Sequence, residues 1–172
     1  NFKIKGPVFL LIWTTTPWTI PANKAISINK DFEYGIFQDG SDFLIIELSL
    51  SENVQTKLNR ELVLKSKILG ADLLGINYIS PISDDISPVL LADYVTRETG
   101  TGLVHTAPGH GTDDYVTGMK NNLEVFSPVD SAGRFTDEVS ETLTGLNVLT
   151  EGNDKVIQIL DEKGFLLLGE DY

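Results

Sequence analysis

The side chains able to do chemistry in this chain gather in two stretches. The first is Trp13-Thr-Thr-Thr-Pro-Trp-Thr-Ile-Pro-Ala-Asn23, where four Thr hydroxyls, two indoles, two Pro and an Asn amide lie within eleven residues. Thr favours strands and Pro favours turns, so a strand end running into an irregular turn accounts for this composition. The same residues also make a rim of neutral hydroxyl and amide groups, stiffened by Pro and flanked by indole. Such a rim suits sugar hydroxyls and an unstacked base, the features by which single-stranded RNA ends are read. The second stretch is Gly100-Thr-Gly-Leu-Val-His105-Thr-Ala-Pro-Gly-His110-Gly-Thr-Asp-Asp114-Tyr. It reads as strand, Gly-rich turn and helix start, with Asp113 and Asp114 in the first helical turn. Carboxylates there offset the helix macrodipole and need no other task. A lone His in an apolar strand is, likewise, usually a packed core residue. Yet the strand delivers His105 at a Gly-flexed end, and the turn returns Asp114 to the same neighbourhood. An imidazole and a carboxylate converging at a turn form a pocket for a ligand carrying an ammonium group.

Other chemistry is excluded more easily. The chain has no Cys and two His, which removes disulfides, thiol nucleophiles and Cys-rich zinc sites and leaves no metal site to expect. There is no G-x-S-x-G, H-E-x-x-H or Walker loop. Gly109-His-Gly111 followed by Thr-Asp-Asp fails the dinucleotide fingerprint, which needs a third Gly and no carboxylates facing the pyrophosphate. A formal charge of −12 means that nucleic acid is not held by general phosphate attraction. An RNA partner must be gripped locally, or by other parts of a larger protein. The longest apolar run, Val8–Trp13, is far shorter than the ~20 residues that span a bilayer. No basic stretch leads into an apolar one as in a secretory signal. A start at Asn1 rather than Met carries the expectation of a piece cut from something longer.

These residues must be positioned by sheet. Val, Ile and Thr number 12, 15 and 15 against 6 Ala, a surplus of β-branched residues over the best helix former. Strands are predicted at Val8–Trp13, Ala25–Ile28, Glu61–Leu69, Asn77–Ile82, Val89–Leu91, Gly100–Pro108, Val125–Val129 and Phe165–Leu168. Phe32–Phe37 and Phe43–Leu48 flank an Asp-Gly turn and read as a hairpin. Ser49-Leu50-Ser51-Glu52 matches a capping box for a short helix over 53–58. Gly70–Leu74 reads as one helical turn, and Thr112 as the cap of a helix through Met119. The strongest periodicity gives a helix over Lys155–Lys163, capped by Asn153 or Asp154 and stopped by Gly164. With no repeat, linker or low-complexity segment, residues 1–172 read as a single domain, monomeric and β-rich.

The two stretches together resemble the editing domain of isoleucyl-tRNA synthetase, the insertion called connective peptide 1 within a class I synthetase. The Trp-Thr-Thr-Thr-Pro-Trp-Thr-x-Pro-Ala-Asn and Gly-Thr-Gly-x-Val-His-Thr-Ala-Pro-Gly-His-Gly-x-Asp-Asp-Tyr stretches occur in that family in this order, roughly 80 residues apart as here. The sister enzymes for valine and leucine carry an Arg after two Thr, where this chain has Thr16. The His-Thr-Ala-Pro-Gly-His-Gly wording resembles the bacterial or organellar branch. The likeness covers residues 7–29 and 88–118 closely and 145–168 loosely.

The resemblance implies a mainly β, α+β fold: a distorted β-barrel with short peripheral helices. It implies hydrolysis of mischarged Val-tRNA(Ile). A synthetic site gains only ~1–3 kcal/mol from one methylene, isoleucine against valine being the known instance, so a second sieve is needed. Carried over residue by residue, Asp114 holds the α-ammonium of the misattached amino acid. His105 walls the side-chain pocket and helps order the attacking water. Thr14, Thr15 and Thr16 bond the terminal adenosine, its ribose or the water, and Trp18 and Asn23 shape the rim. His105, Asp114 and Thr15 are the implied catalytic set. No side chain makes a convincing covalent nucleophile, so a positioned water attacks the ester without metal or cofactor, ATP being used by the synthetic domain of the parent enzyme. The implied partners are the 3′ end of tRNA(Ile) carrying valine and the rest of the synthetase chain, with no membrane. The implied compartment is the cytoplasm, or the matrix of an organelle. Two alternatives stand beside this reading: an inactive ligand-binding module of the same fold, and an editing domain of the valine or leucine type.

Overall fold

The computed structural model describes residues 4–170. Eight short strands form from the β-branched and aromatic runs: β1 (Val8–Leu10), β2 (Ala25–Ile28), β3 (Glu33–Asp39), β4 (Asp42–Glu47), β5 (Val63–Leu69), β6 (Asn77–Ile79), β7 (Ile86–Leu91) and β8 (Val104–Thr106). The helices are α1 (Ser51–Leu58), α2 (Gly70–Leu73), α3 (Thr112–Lys120) and α4 (Glu151–Glu162), and Pro17–Ala22 and Leu48–Leu50 wind as 3-10 turns. One sheet has the order β1-β4-β3-β5 and the other β6-β7-β2-β8. β1 runs parallel to β4, Val8 opposite Phe43, whereas β3 is antiparallel to both β4 and β5. β2 runs parallel to β7, with Ile26 opposite Val89. The α+β class is as expected, but among the described residues the sheets do not close into the barrel that the resemblance implies. Both are open and end in edge strands. Edge strand β5 carries Lys65 and Lys67 exposed, and charge on an edge disfavours further pairing.

The chain is built as two compact units from interleaved segments. The first takes the chain up to Thr14, Ile26–Ile76 and Pro88–His105. Its core is laid by the β3–β4 hairpin, whose Tyr34, Phe37, Leu44 and Ile46 are buried, with Ile28, Leu73 and Val89. Gly40 at φ +61° makes the tight turn between Asp39 and Asp42 that the Asp-Gly pair predicts. The second unit takes Thr15–Ala25, Asn77–Ser87 and the chain from Thr106 onward. Its core joins Ile20 of the first 3-10 turn to Phe135, Leu143, Val148, Val156 and Leu160, with Trp18 packed against it. The amphipathic face of α4 therefore buries itself on the Thr- and Pro-rich turn.

Several local expectations are corrected. Ser49 is no N-cap: its hydroxyl donates to Glu47, whose carboxylate also takes the Leu50 N–H, and α1 starts at Ser51. A buried charged acceptor outcompetes a serine for the same turn. Thr112 is the first helical residue of α3, behind Gly111. α4 begins at Glu151, and Asn153 spends its side-chain oxygen on the Trp18 N–H at 3.2 Å. β1 stops at Leu10, three residues short of Trp13, and β8 covers only Val104–Thr106 of the Gly100–Pro108 run. Residues 125–129 form no strand beyond a single bridge from Val129 to Phe135. Side chains anchor that segment instead, with Lys24 pairing Glu124 at 2.8 Å and lying over the Phe126 ring. Phe165–Leu168 is not a strand either; it leaves α4 with Leu166 packed into the core and Phe165 and Leu168 exposed.

Candidate functional site

In the second unit the two chemistry-bearing stretches meet. Pro17 fixes φ at the start of the 3-10 turn, where a missing N–H costs nothing. Thr19 ties the turn back, its N–H and hydroxyl both donating to the Thr16 carbonyl at 3.0 and 2.9 Å. Thr15 and Thr16 are left exposed at its mouth. Trp18, half-buried, meets the His110 ring edge-to-face with centroids 5.1 Å apart and planes at 81°. Asn23 is buried: its amide nitrogen donates to the Ala25 carbonyl at 2.9 Å, and its oxygen accepts from the Tyr78 hydroxyl. It therefore holds the end of the turn from within. The Lys24 N–H donates to the Thr106 carbonyl at 3.0 Å, joining the turn to the last residue of β8.

Asp114 is the third residue of α3 and half-buried, while its neighbour Asp113 is exposed. Its Oδ2 accepts from the Ala107 N–H at 2.9 Å, two residues beyond His105 along the chain. The carboxylate thus fastens the Gly-rich turn as well as offsetting the helix dipole. The turn itself is tight, for a Cβ on Gly109 would lie 2.2 Å from the Phe126 carbonyl oxygen. His110 sits within this turn, and its N–H donates to the Ala107 carbonyl at 2.9 Å. Burial pushes the His110 imidazole below its ordinary pKa, and the Asp114 carboxylate opposes that shift. The ring is consequently neutral at neutral pH.

Thr14 and His105 belong to the first unit. There, too, the stretches touch, since the Trp13 ring lies over Gly100, 3.4 Å from where a Cβ would stand. Gly100 has φ +77°, a conformation that suits Gly. Thr14 is half-buried, and so are both Val104 and His105, so neither face of β8 is sealed at these positions. Within one unit the structure thus gathers Thr15, Thr16, Trp18, Asn23 and Asp114, and places Thr14 and His105 in the other. Two participants escaped the sequence reading. His110 stands inside a quoted stretch and is one of only two imidazoles, a signal that was available. Tyr78 lies where the sequence carries no motif. Among the described residues no cluster of three or more His, Cys, Asp or Glu is placed to hold a metal ion.

The hydroxyl-rich turn and the carboxylate-fastened Gly loop thus lie in one compact unit. The chain belongs to the family described as "Leucyl-tRNA synthetase, editing domain", whose model matches residues 10–156. It is 48% identical over 163 residues to an isoleucine–tRNA ligase from Synechococcus sp. (strain CC9311) and 47% identical over 161 residues to one from Cyanothece sp. (strain PCC 7425), each match covering 94% of this chain. The chain spans 17% of the length of those relatives. Its fold is that of the crystal structure GlLeuRS-CP1, with a TM-score of 0.78 at 16% identity over 98% of this chain and 86% of that one. The Plasmodium falciparum cytosolic leucyl-tRNA synthetase editing domain matches 69% of this chain and 51% of that one at a TM-score of 0.52 and 19% identity.

Proposed function

We propose that this chain hydrolyses the aminoacyl ester of Val-tRNA(Ile), as the editing domain of an isoleucine–tRNA ligase. The observation that carries this reading is the fastening of Asp114 to the Ala107 N–H, which holds a half-buried carboxylate on the Gly-rich turn, in the same compact unit as the exposed Thr15 and Thr16. A fixed carboxylate is the partner an α-ammonium needs. We assign Thr14, Thr15 and Thr16 to the terminal ribose, adenosine or water. Trp18 and the buried Asn23 hold the rim in place. His105 borders the amino-acid side chain and helps order the water. An aminoacyl ester is already activated, so orientation and charge stabilisation suffice without a covalent nucleophile, metal or cofactor.

The isoleucine assignment over the leucine type named by the family rests on the relatives' names and on Thr16, where the valine and leucine enzymes resemble one another in carrying Arg. The implied partners are the tRNA 3′ end and the rest of a synthetase, and the implied compartment is the cytoplasm or an organellar matrix. The test is a deacylation panel on the full-length enzyme. Val-tRNA(Ile) is expected to be hydrolysed fast and Ile-tRNA(Ile) slowly, whether or not EDTA is present. Release of threonine from tRNA(Val), or of norvaline from tRNA(Leu), with Val-tRNA(Ile) untouched, would reassign the domain to a sister type. Inertness toward all of them would make it a binding module.

A further inference from the structure

The approach to β8 is clamped, inside the first unit, by a buried carboxylate that belongs to neither motif. Glu47 ends β4 and is 1% exposed. Its N–H donates to the Thr101 carbonyl at 2.8 Å. Its Oε2 accepts from the Leu50 N–H at 3.1 Å and the Ser49 hydroxyl at 2.5 Å, and its Oε1 from Arg97 Nε at 3.0 Å. The Arg97 guanidinium lies 3.9 Å above the Phe32 ring. Gly102, at φ +76°, presses directly on this group, for a Cβ there would come within 2.2 Å of Glu47 Cβ. From another side the Tyr34 hydroxyl, fully buried, donates to the Gly102 carbonyl at 2.9 Å while accepting from the Asn29 N–H at 3.0 Å. Burial pushes this phenol up to about 12, so it keeps its proton, and its donor role, at neutral pH.

Apolar packing stabilises a core as well as a buried ion pair does, or better. What directional bonds add is a fixed position. Here they fix Thr101 and Gly102, and His105 follows three residues on. We propose that Glu47 and Tyr34 are positioning residues for editing, setting through the Thr101–Gly102 turn where β8 delivers His105. This rests on the reading that His105 borders the amino-acid side chain.

The test uses the full-length synthetase carrying Tyr34→Phe, which removes one hydroxyl and keeps the ring, with Glu47→Gln as a second variant. We expect kcat for Val-tRNA(Ile) deacylation to fall about ten- to a hundredfold at nearly unchanged KM, the cost of a small misplacement. The Val/Ile rate ratio should fall too, while aminoacylation with isoleucine stays at the wild-type level. Wild-type kcat and ratio in Tyr34→Phe would overturn the proposal. So would a proportional loss on both esters with a lowered Tm, which is what a purely structural role gives. A second readout needs no activity. In the 172-residue chain His105 and His110 are the only imidazoles, so the Cε1–H region of a histidine ring 13C–1H spectrum holds two signals. Tyr34→Phe should move that of His105, and an unmoved signal overturns the proposal. A moved signal beside a wild-type enzyme inert on Val-tRNA(Ile) would instead leave the clamp standing and remove the functional reading.

Discussion

On the proposed reading Asp114 has two tasks, and two substitutions separate them. Asp114→Asn keeps an oxygen for the Ala107 N–H and gives up only the charge, so the loop stays fastened while the substrate ammonium loses its partner. Deacylation of Val-tRNA(Ile) should fall by about ten- to a hundredfold or more, matching the ~1.5–3 kcal/mol of a charge-assisted bond, with Tm close to wild type. Asp114→Ala should lose both activity and Tm. Asp113→Ala, at an exposed position turned ~100° around the helix, should lose neither. Equal effects at 113 and 114 would reduce both to dipole compensation. On the proposed reading, His105→Ala removes the group set against the extra methylene of isoleucine. An overlap of this kind costs ~1–3 kcal/mol, so the Val/Ile deacylation ratio should drop about ten- to a hundredfold. An unchanged ratio on folded protein removes His105 from the sieve. His110 supplies a pH signature. Its folded pKa lies below the unfolded value of 6.5, so the unfolded chain binds the proton first as pH falls. The stability tied to a neutral ring is present above 6.5 and lost as pH drops from there through the folded value. Thermal melts between pH 7.5 and 5.5 should show a steeper loss for wild type than for His110→Gln.

The elements were legible in sequence where short-range chemistry decides them. The hairpin around Gly40, strand β2 and the helical turn at Gly70 are where pattern and turn residues place them. So is the end of α4, where the Gly164 N–H bonds the Asp161 carbonyl at 2.9 Å and the Phe165 N–H the Leu160 carbonyl at 2.8 Å, a Schellman ending with Gly164 at φ +74°. Gly164→Ala should therefore cost about 1 kcal/mol, read as a lower midpoint in urea unfolding. The misses share one cause. Val125–Val129 and Phe165–Leu168 have the apolar content of strands, but Pro128 cannot donate to a ladder, and the first run makes only the single bridge from Val129 to Phe135 among the described residues. Ser49 satisfies the capping pattern, yet Glu47 reaches the same donor because β4 ends beside it. In the site, residue types marked the two stretches, whereas the fastening of Asp114 by Ala107 and of Asn23 by Tyr78 depends on contacts that no local pattern encodes.

At the scale of the whole molecule, the charge of −12 speaks against general attraction to a phosphate backbone. Each unit interleaves three segments of the chain. The two indoles fall one to each unit, Trp13 over Gly100 and Trp18 against His110. The protein thus carries its own pair of optical reporters. With Trp13→Phe, emission comes from Trp18 alone and should dim as acid charges the adjoining imidazole. With Trp18→Phe, it comes from the 40% exposed Trp13 and should be red-shifted and indifferent to that titration. Followed through denaturant, two coincident curves would license a single free energy of unfolding. Two separated midpoints would instead give each half of the molecule its own colour-coded stability, read without a label or a substrate.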